Sequence, residues 1–431
     1  MTEPLDPGAR RAILEAVDAL REDAVRMLER LVRCPSTLGN EASALNEMAR
    51  IYEGIGLAPW RVPTDPAVLA AHPGFSPPLM DYAGRDNVVA VFTPRERKGR
   101  SLALQGHVDV VPEGAADMWL TPPYEPTIRG GRMYGRGAGD MKAGIVSYVM
   151  AFRALRLAGL QPAAEVQMQS VIEEECTGNG ALAAMLALPR TDAVIIPEPG
   201  PGLPAMYSAE VGVVWAWVTV SGRPAHVRDM QAGLNAIKAA NAIAARFEDY
   251  QAEMNRAERI HPAFRGVNHP VNVNFGTIQG GEWNSSVPTR ARIGMRVGVM
   301  MGYTAAQTKA DIERLVAEAA SDPALKGATV ALEFKGFMAD PCVFDMNAPI
   351  VTMAKRHFAD VSGGFLRDYP ATGLTDGRFF TLYQETPVAC FGPDAQEIHG
   401  IDESVGLESM HDITRTIALI MAEWCGLERA A

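Results

Sequence analysis

Residues 102–142 constrain the fold more than any other stretch. Leu102, Ala103 and Leu104 open an apolar run without charge, which then meets Gln105-Gly106-His107-Val108-Asp109. Runs of this kind form buried parallel strands, and the first polar residues after one lie at its carboxyl end. Ligands of open α/β sheets bind at that edge. Side chains alternate along a strand, so His107 and Asp109 share a direction, and a carboxylate two residues from an imidazole can orient it as metal-bound histidines are oriented. Further on, Tyr134-Gly135-Arg136-Gly137-Ala138-Gly139-Asp140 forms a glycine-rich turn that presents one acid just before a helix. An acid in that place would repel a phosphate, so the turn is a poor dinucleotide cradle. Asp140 fits better as a ligand that bridges two metal ions.

The pattern recurs along the chain. An expected strand over 165–172 ends in Glu173, Glu174 and Glu175, whose adjacent charges repel one another unless cations compensate them. A second over 193–196 delivers Glu198, and a third over 387–391 leads to His399. Strands that each end in a metal-ligand type of residue predict convergence on one sheet edge.

Composition narrows the function classes. A formal net charge of −11 offers no basic patch to offset phosphate repulsion, which argues against a nucleic-acid partner. Met1 to Asp6 has neither a basic nor an apolar leader pattern, and no apolar run is long enough for a membrane span, so the expected location is the cytoplasm. Cys34, Cys176, Cys342, Cys390 and Cys425 are scattered and never spaced as C-x-x-C. They predict neither a disulfide framework nor a thiolate metal site, but small core fillers, with Cys176 beside the acidic cluster.

In chain order, 9–33 reads as one amphipathic helix, 63–78 as a proline-rich loop, and 87–92 as a strand beside the one at Leu102. A small-residue helix follows over 143–157. Between 207 and 340 the texture changes to strands at 211–220, 271–278, 291–299 and 329–334, with helices at 235–251 and 304–320. That β-α-β-β-α-β order predicts a ferredoxin-like insert with its own antiparallel sheet. The chain then returns to α/β texture, with a helix at 348–358, a loop at 372–380 and a closing helix at 407–424. The expected fold class is α/β: a mixed, mostly parallel sheet sandwiched by helices, in parts 1–206 and 341–431, interrupted by an α+β lid and dimerisation domain over 207–340.

With these residues in place, the sequence resembles the dinuclear-zinc peptidase and deacylase family of acetylornithine deacetylase, succinyl-diaminopimelate desuccinylase, aminoacylase and carboxypeptidase G. The resemblance covers nearly the whole chain. It implies two zinc ions per chain, with cobalt able to substitute: His107 and Glu198 as terminal ligands of one, Glu175 and His399 of the other, and Asp140 as the bridge. Zinc suits such a mixed imidazole and carboxylate set. The resemblance also implies Glu174 as general base, Asp109 as the residue orienting His107, and Glu173 as a spectator. His226 would complete the oxyanion site of a partner subunit in a homodimer formed through the insert. His72, His261, His269, His357 and His411 read as surface or loop residues.

On the substrate side, family members carry an arginine ten residues after the proline of an Asn-x-x-Pro motif, where it grips a substrate carboxylate. Here Asn284 precedes Pro288 by four, and Arg296 follows eight later. Either Arg296 still binds a carboxylate or the substrate lacks one. Gly373, Thr375 and Arg378 match the family's substrate-facing loop, with Leu374 where some members carry a hydroxyl, and Trp283 and Tyr207 could line the same site. The implied activity is amide hydrolysis of an N-acyl amino acid or related small N-acyl amine. Two alternatives stand beside it: removal of a formyl or other short acyl group from a heterocyclic amine, and a non-catalytic metal-binding protein on the same fold.

Overall fold

The computed structural model describes residues 5–430; the first four residues of the leader reading lie outside it. Its spine is a nine-stranded mixed sheet in the order Trp60–Val62, Asn87–Phe92, Val166–Val171, Leu102–His107, Val194–Ile196, Val388–Gly392, Ala205–Glu210 and Cys342–Val343, with Arg367–Ala371 also paired to Ala205–Glu210. The four strands from Val166–Val171 to Val388–Gly392 run parallel, so their carboxyl ends open on one edge. Both faces are covered. Leu102 and Leu104 pack into a cluster with the helices Ala143–Leu157 and Leu407–Cys425, while Ala103 packs into another with Asn179–Ala187 and Gly377–Tyr383. This double burial is why Leu102, Ala103 and Leu104 and the strand Val194–Ile196 are apolar throughout; the buried amides of the neighbouring positions bond one another, Gln105 donating to Gln169 and Gln169 to Gln167.

Four expectations change. The strand Asn87–Phe92 does not lie beside Leu102–His107, because Val166–Val171 pairs with both and separates them. The expected helix over 9–33 is two, Pro7–Ala19 and Arg21–Val32, broken at Leu20 with φ −93 and ψ 2. Its apolar stripe runs through the break, so periodicity could not reveal it. The loop at 372–380 gives way to a helix at Gly377–Tyr383. Finally, Ala205–Glu210 crosses the boundary at 207 and belongs to the large sheet, so the inserted sheet begins at Gly212.

That sheet runs Val273–Gly280, Arg290–Val299, Gly212–Ser221, Thr329–Glu333, all antiparallel. One face buries Val214, Ala216, Val218 and Val220 under the helices Ala236–Met254 and Ala305–Ala320. Among the described residues, no helix is long and apolar enough to cross a membrane. The five cysteines are unpaired, and all but Cys34 are buried.

Candidate metal centre

The side chains that could bind metal come from loops at the open edge of the large sheet. His107 is the last residue of its strand, Glu174 and Glu175 follow Val166–Val171, and Glu198 follows Val194–Ile196. Asp140 comes from the glycine-rich turn, where Gly137 has φ 78 and a Cβ would strike Val110. His399 is carried by the loop between Asp394–Gln396 and Ser404–Gly406. These belong to a small five-stranded sheet with Arg132–Tyr134, built of strands too short to show a sequence period.

Two groups result, His107 with Asp140 and Glu198, and Asp140 with Glu175 and His399; within each, the ligating atoms lie within 4.8 Å of one another. Asp140 belongs to both. Its Oδ1 is 3.1 Å from His107 Nε2 and its Oδ2 is 3.4 Å from His399 Nε2. Glu198 Oε1 lies 3.7 Å from His107 Nε2, and Glu175 Oε2 lies 3.0 Å from His399 Nε2. The residues fit a pair of divalent cations. Glu175 Oε1 and Glu198 Oε1 are buried without a hydrogen-bond partner, an arrangement a native site tolerates when an ion completes it.

The electrostatics point the same way. Burial pushes the Glu198 carboxyl well above its ordinary pKa, against the pull of His107. The carboxylate of Glu175 first, with Asp140, pushes His399 up to about 11. Burial opposes charge on Asp140, but hydrogen bonds from His107 and His399 outweigh it and hold its carboxyl far below the usual range. The clustered carboxylates thus favour positive charge among them, which bound cations would supply.

Around these groups lies a supporting shell. His107 Nδ1 donates to the Asp109 carbonyl at 2.9 Å, and the Asp109 carboxylate stands 3.6 Å from the same nitrogen. That carboxylate also accepts from the backbone N–H groups of Glu174 and Glu175, tying the histidine to the acidic turn. Glu174 is buried 3.9 Å from His107. Burial, with Glu198 and Asp376 adding to it and His107 opposing, drives its carboxyl well above the ordinary value. Glu173 points away from the ligand groups. It pairs with Arg85 at 2.7 Å and accepts from Tyr82 and Thr177, and Arg85 also binds Glu41.

Sequence reasoning missed Glu403. Its buried carboxylate accepts from the backbone N–H groups of Gly137, Gly139 and Asp140 and pairs with Arg136 at 2.6 Å, so it holds the turn that presents the shared ligand. A lone acid in a loop carries no pattern that marks such a role.

A cavity of about 500 Å³ leads from Glu174, Glu175 and His399 to the open face of the inserted sheet. Arg296 and Gly373 line it. Arg296 donates to the Thr372 carbonyl at 2.7 Å, and burial draws its pKa down to about 10. Thr375 and Arg378 are buried in structural contacts instead: Thr375 Oγ1 donates to Glu210 at 2.6 Å, and Arg378 donates to the Thr375 and Thr177 carbonyls. Trp283 is 73% exposed and Tyr207 donates to the Pro199 carbonyl, so neither is a cavity wall. His226 is exposed and belongs to neither ligand group, with Nδ1 accepting from the Arg228 N–H at 3.1 Å. His357 and His411 are not surface residues; both are buried in helices, facing Glu423 and Asp18 respectively.

The sequence pattern of Peptidase family M20/M25/M40 matches residues 103–423. Succinyl-diaminopimelate desuccinylase of Rhodospirillum centenum is 25% identical over 423 residues, covering 93% of this chain and 97% of that protein. N-formyl-4-amino-5-aminomethyl-2-methylpyrimidine deformylase of Halalkalibacterium halodurans is 23% identical over 370 residues, covering 81% and 85%. Among solved structures, human carnosine dipeptidase 1 superposes with a TM-score of 0.77 at 16% identity over 98% of this chain and 100% of that one. A dinuclear metal binding peptidase of Bacillus subtilis does so with a TM-score of 0.55 at 17% identity over 94% and 98%. The structural likenesses speak for the fold, and the matched sequence pattern for descent: the chain belongs, as a hydrolase, to Peptidase family M20/M25/M40.

Proposed function

We propose that the protein is a dinuclear zinc-dependent deacylase that hydrolyses the amide bond of an N-acyl amino acid or a related small N-acyl amine. The observation that carries this reading is the sharing of Asp140 by two histidine and carboxylate groups, with the unpaired Glu174 carboxyl buried beside them. His107, Asp140 and Glu198 would hold one ion, and Asp140, Glu175 and His399 the other. Zinc suits the donor set, and cobalt shares its preferences. When bound, such a pair supplies Lewis acidity to an amide carbonyl and acidifies water.

The chain's own residues do the rest. Glu174 takes a proton from the attacking water and hands it to the leaving nitrogen as the C–N bond breaks; its raised affinity for protons suits that relay. Asp109 fixes the ring of His107. Arg296, which has no carboxylate partner among the described residues, offers an anchor for a substrate carboxylate, and Gly373 lines the cavity beside it. Thr375 and Arg378 support that loop from behind rather than touching substrate. In a homodimer formed through the inserted sheet, His226 would reach the partner's centre and donate to the developing oxyanion. We place the protein in the cytoplasm, where five unpaired thiols stay reduced.

A second reading, deformylation of a heterocyclic amine, draws support from the aromatic Trp215, Trp217 and Phe337 and the amides of Asn272 and Asn274 in the cavity wall. The test is metal analysis of the purified protein followed by a screen of N-acetyl amino acids beside N-formyl heterocyclic amines, with zinc- and cobalt-loaded enzyme. Two metal ions per chain and turnover of the amino-acid series are expected. Turnover of formamides alone selects the second reading, and at most one ion after saturation removes the dinuclear mechanism. Full metal loading without turnover of any amide would leave a metal-binding protein.

A further inference from the structure

Trp215 and Trp217 stand two residues apart on Gly212–Ser221, and so share the face of the inserted sheet turned away from its helices. An antiparallel sheet covered on one side ordinarily shows a polar second face. Here that face carries two half-buried tryptophans, both lining the cavity that leads to Glu174, Glu175 and His399. Their neighbours make room for them. The cross-strand partner of Trp217 is Gly294, where a Cβ would lie 2.5 Å from the indole, so any larger residue would displace the ring. The Arg292 guanidinium sits 4.5 Å over Trp217, and Phe337 meets Trp215 edge to face at 5.4 Å. The rings are therefore held in place.

Charge along the same wall is one-sided. The acids lining the cavity, Glu174 and Glu175, both stand at the metal end, whereas the tryptophan end has Arg296 and the uncharged Asn272 and Asn274. Glu333, cross-strand to Trp217, already pairs with Arg292 and Lys335, and no free carboxylate among the described lining residues would neutralise a cationic ligand there. Rigid aromatic surface beside a guanidinium that no carboxylate among the described residues neutralises recognises a flat π-system bearing an anionic or neutral substituent.

We propose that Trp215 and Trp217 determine specificity by forming a subsite for a planar aromatic ring carried by the substrate, with Arg296 selecting against cationic rings. The assignment rests on the amide-hydrolase reading for what happens to the ligand, but not for whether the ring binds. Ring stacking adds a modest increment beyond area burial, about three- to tenfold in affinity.

The test uses matched pairs on the metal-loaded protein. Calorimetry compares benzoate with cyclohexanecarboxylate, and kinetics compare N-acetylphenylalanine with N-acetylcyclohexylalanine; charge and size are held and only the π-face changes. The aromatic member of each pair should win by about three- to tenfold, through Kd and KM rather than kcat. Trp217→Leu and Trp215→Leu should weaken the aromatic member alone, and Trp217→Phe should restore part of the preference. Equal binding of benzoate and cyclohexanecarboxylate by the wild-type protein, which needs no variant to fold, overturns the subsite. So does equal weakening of both members by the leucine variants. If neither amide is cleaved, the N-acyl amino acid reading falls while the calorimetric pair still decides the subsite.

Discussion

Glu174 shows how far a residue's type and position can carry an argument. It lies three residues beyond the end of its strand, buried within reach of His107, yet it belongs to neither group of prospective ligands. Glu174→Gln keeps the shape and the neighbouring ligands while removing the proton acceptor. The variant should hold as much metal as wild type and lose activity by about 10²- to 10⁴-fold, read as parallel metal analysis and kcat. Near-normal turnover would move the base elsewhere. Glu173 is a poor substitute, since Arg85, Tyr82 and Thr177 already occupy its oxygens. The adjacent acids look alike in sequence; only their partners separate a base, a ligand and a structural anchor.

At the scale of elements, the interface between Pro349–Ser362 and Leu407–Cys425 contains an acid-sensitive contact. His357 is buried there, with Nε2 2.9 Å from Glu423 Oε2. Burial first, and then Arg356, draw its pKa down to about 4 against the pull of Glu423. The folded value lies below that of an unfolded histidine, so the unfolded chain binds the proton first as pH falls. Stability from the neutral ring is therefore complete above an unfolded pKa near 6.5 and is lost as pH falls toward 4. At pH 5 the loss should be about 2 kcal/mol. Urea midpoints at pH 7 and pH 5 check this: His357→Gln should show a smaller drop than wild type, and equal drops would assign the acid sensitivity to other groups. Helical periodicity had placed this element correctly, but a histidine in a helix looks the same from either face.

The inserted sheet and the metal centre meet at the scale of the whole molecule. Val273–Gly280 is an edge strand with mostly exposed side chains, and His226 stands exposed in the same insert, outside both ligand groups. We predict a two-fold dimer through the insert, in which the edge would find a partner and His226 would face another chain. Co-refolding equal amounts of Glu174→Gln and His226→Ala chains tests it. If His226 acts across the interface, half the dimers are mixed and each has one intact site, so roughly a quarter of wild-type activity returns. No recovery, with mixed dimers shown to form, assigns His226 to its own chain or to structure.

The sequence by itself determined where the candidate metal ligands gather. Apolar runs that stop at His107, Glu175 and Glu198 place ligand-type residues at strand ends, and strand direction then brings them to one edge whatever the details of pairing. The ferredoxin-like order of the insert was equally legible, since it depends on local period. Tertiary structure decided what depends on distant partners. Val166–Val171 separates two strands that looked adjacent, the break at Leu20 lies within a continuous apolar stripe, and Glu403 reaches back to the turn at Asp140 from the far end of the chain. Thr375 and Arg378 kept their motif but turned to Glu210 and to backbone carbonyls, while Trp215 and Trp217 became the wall facing the metal end. Residue type and spacing encode which groups stand on an element's face; what that face meets is set by packing between elements remote in sequence, where no local pattern records the partner.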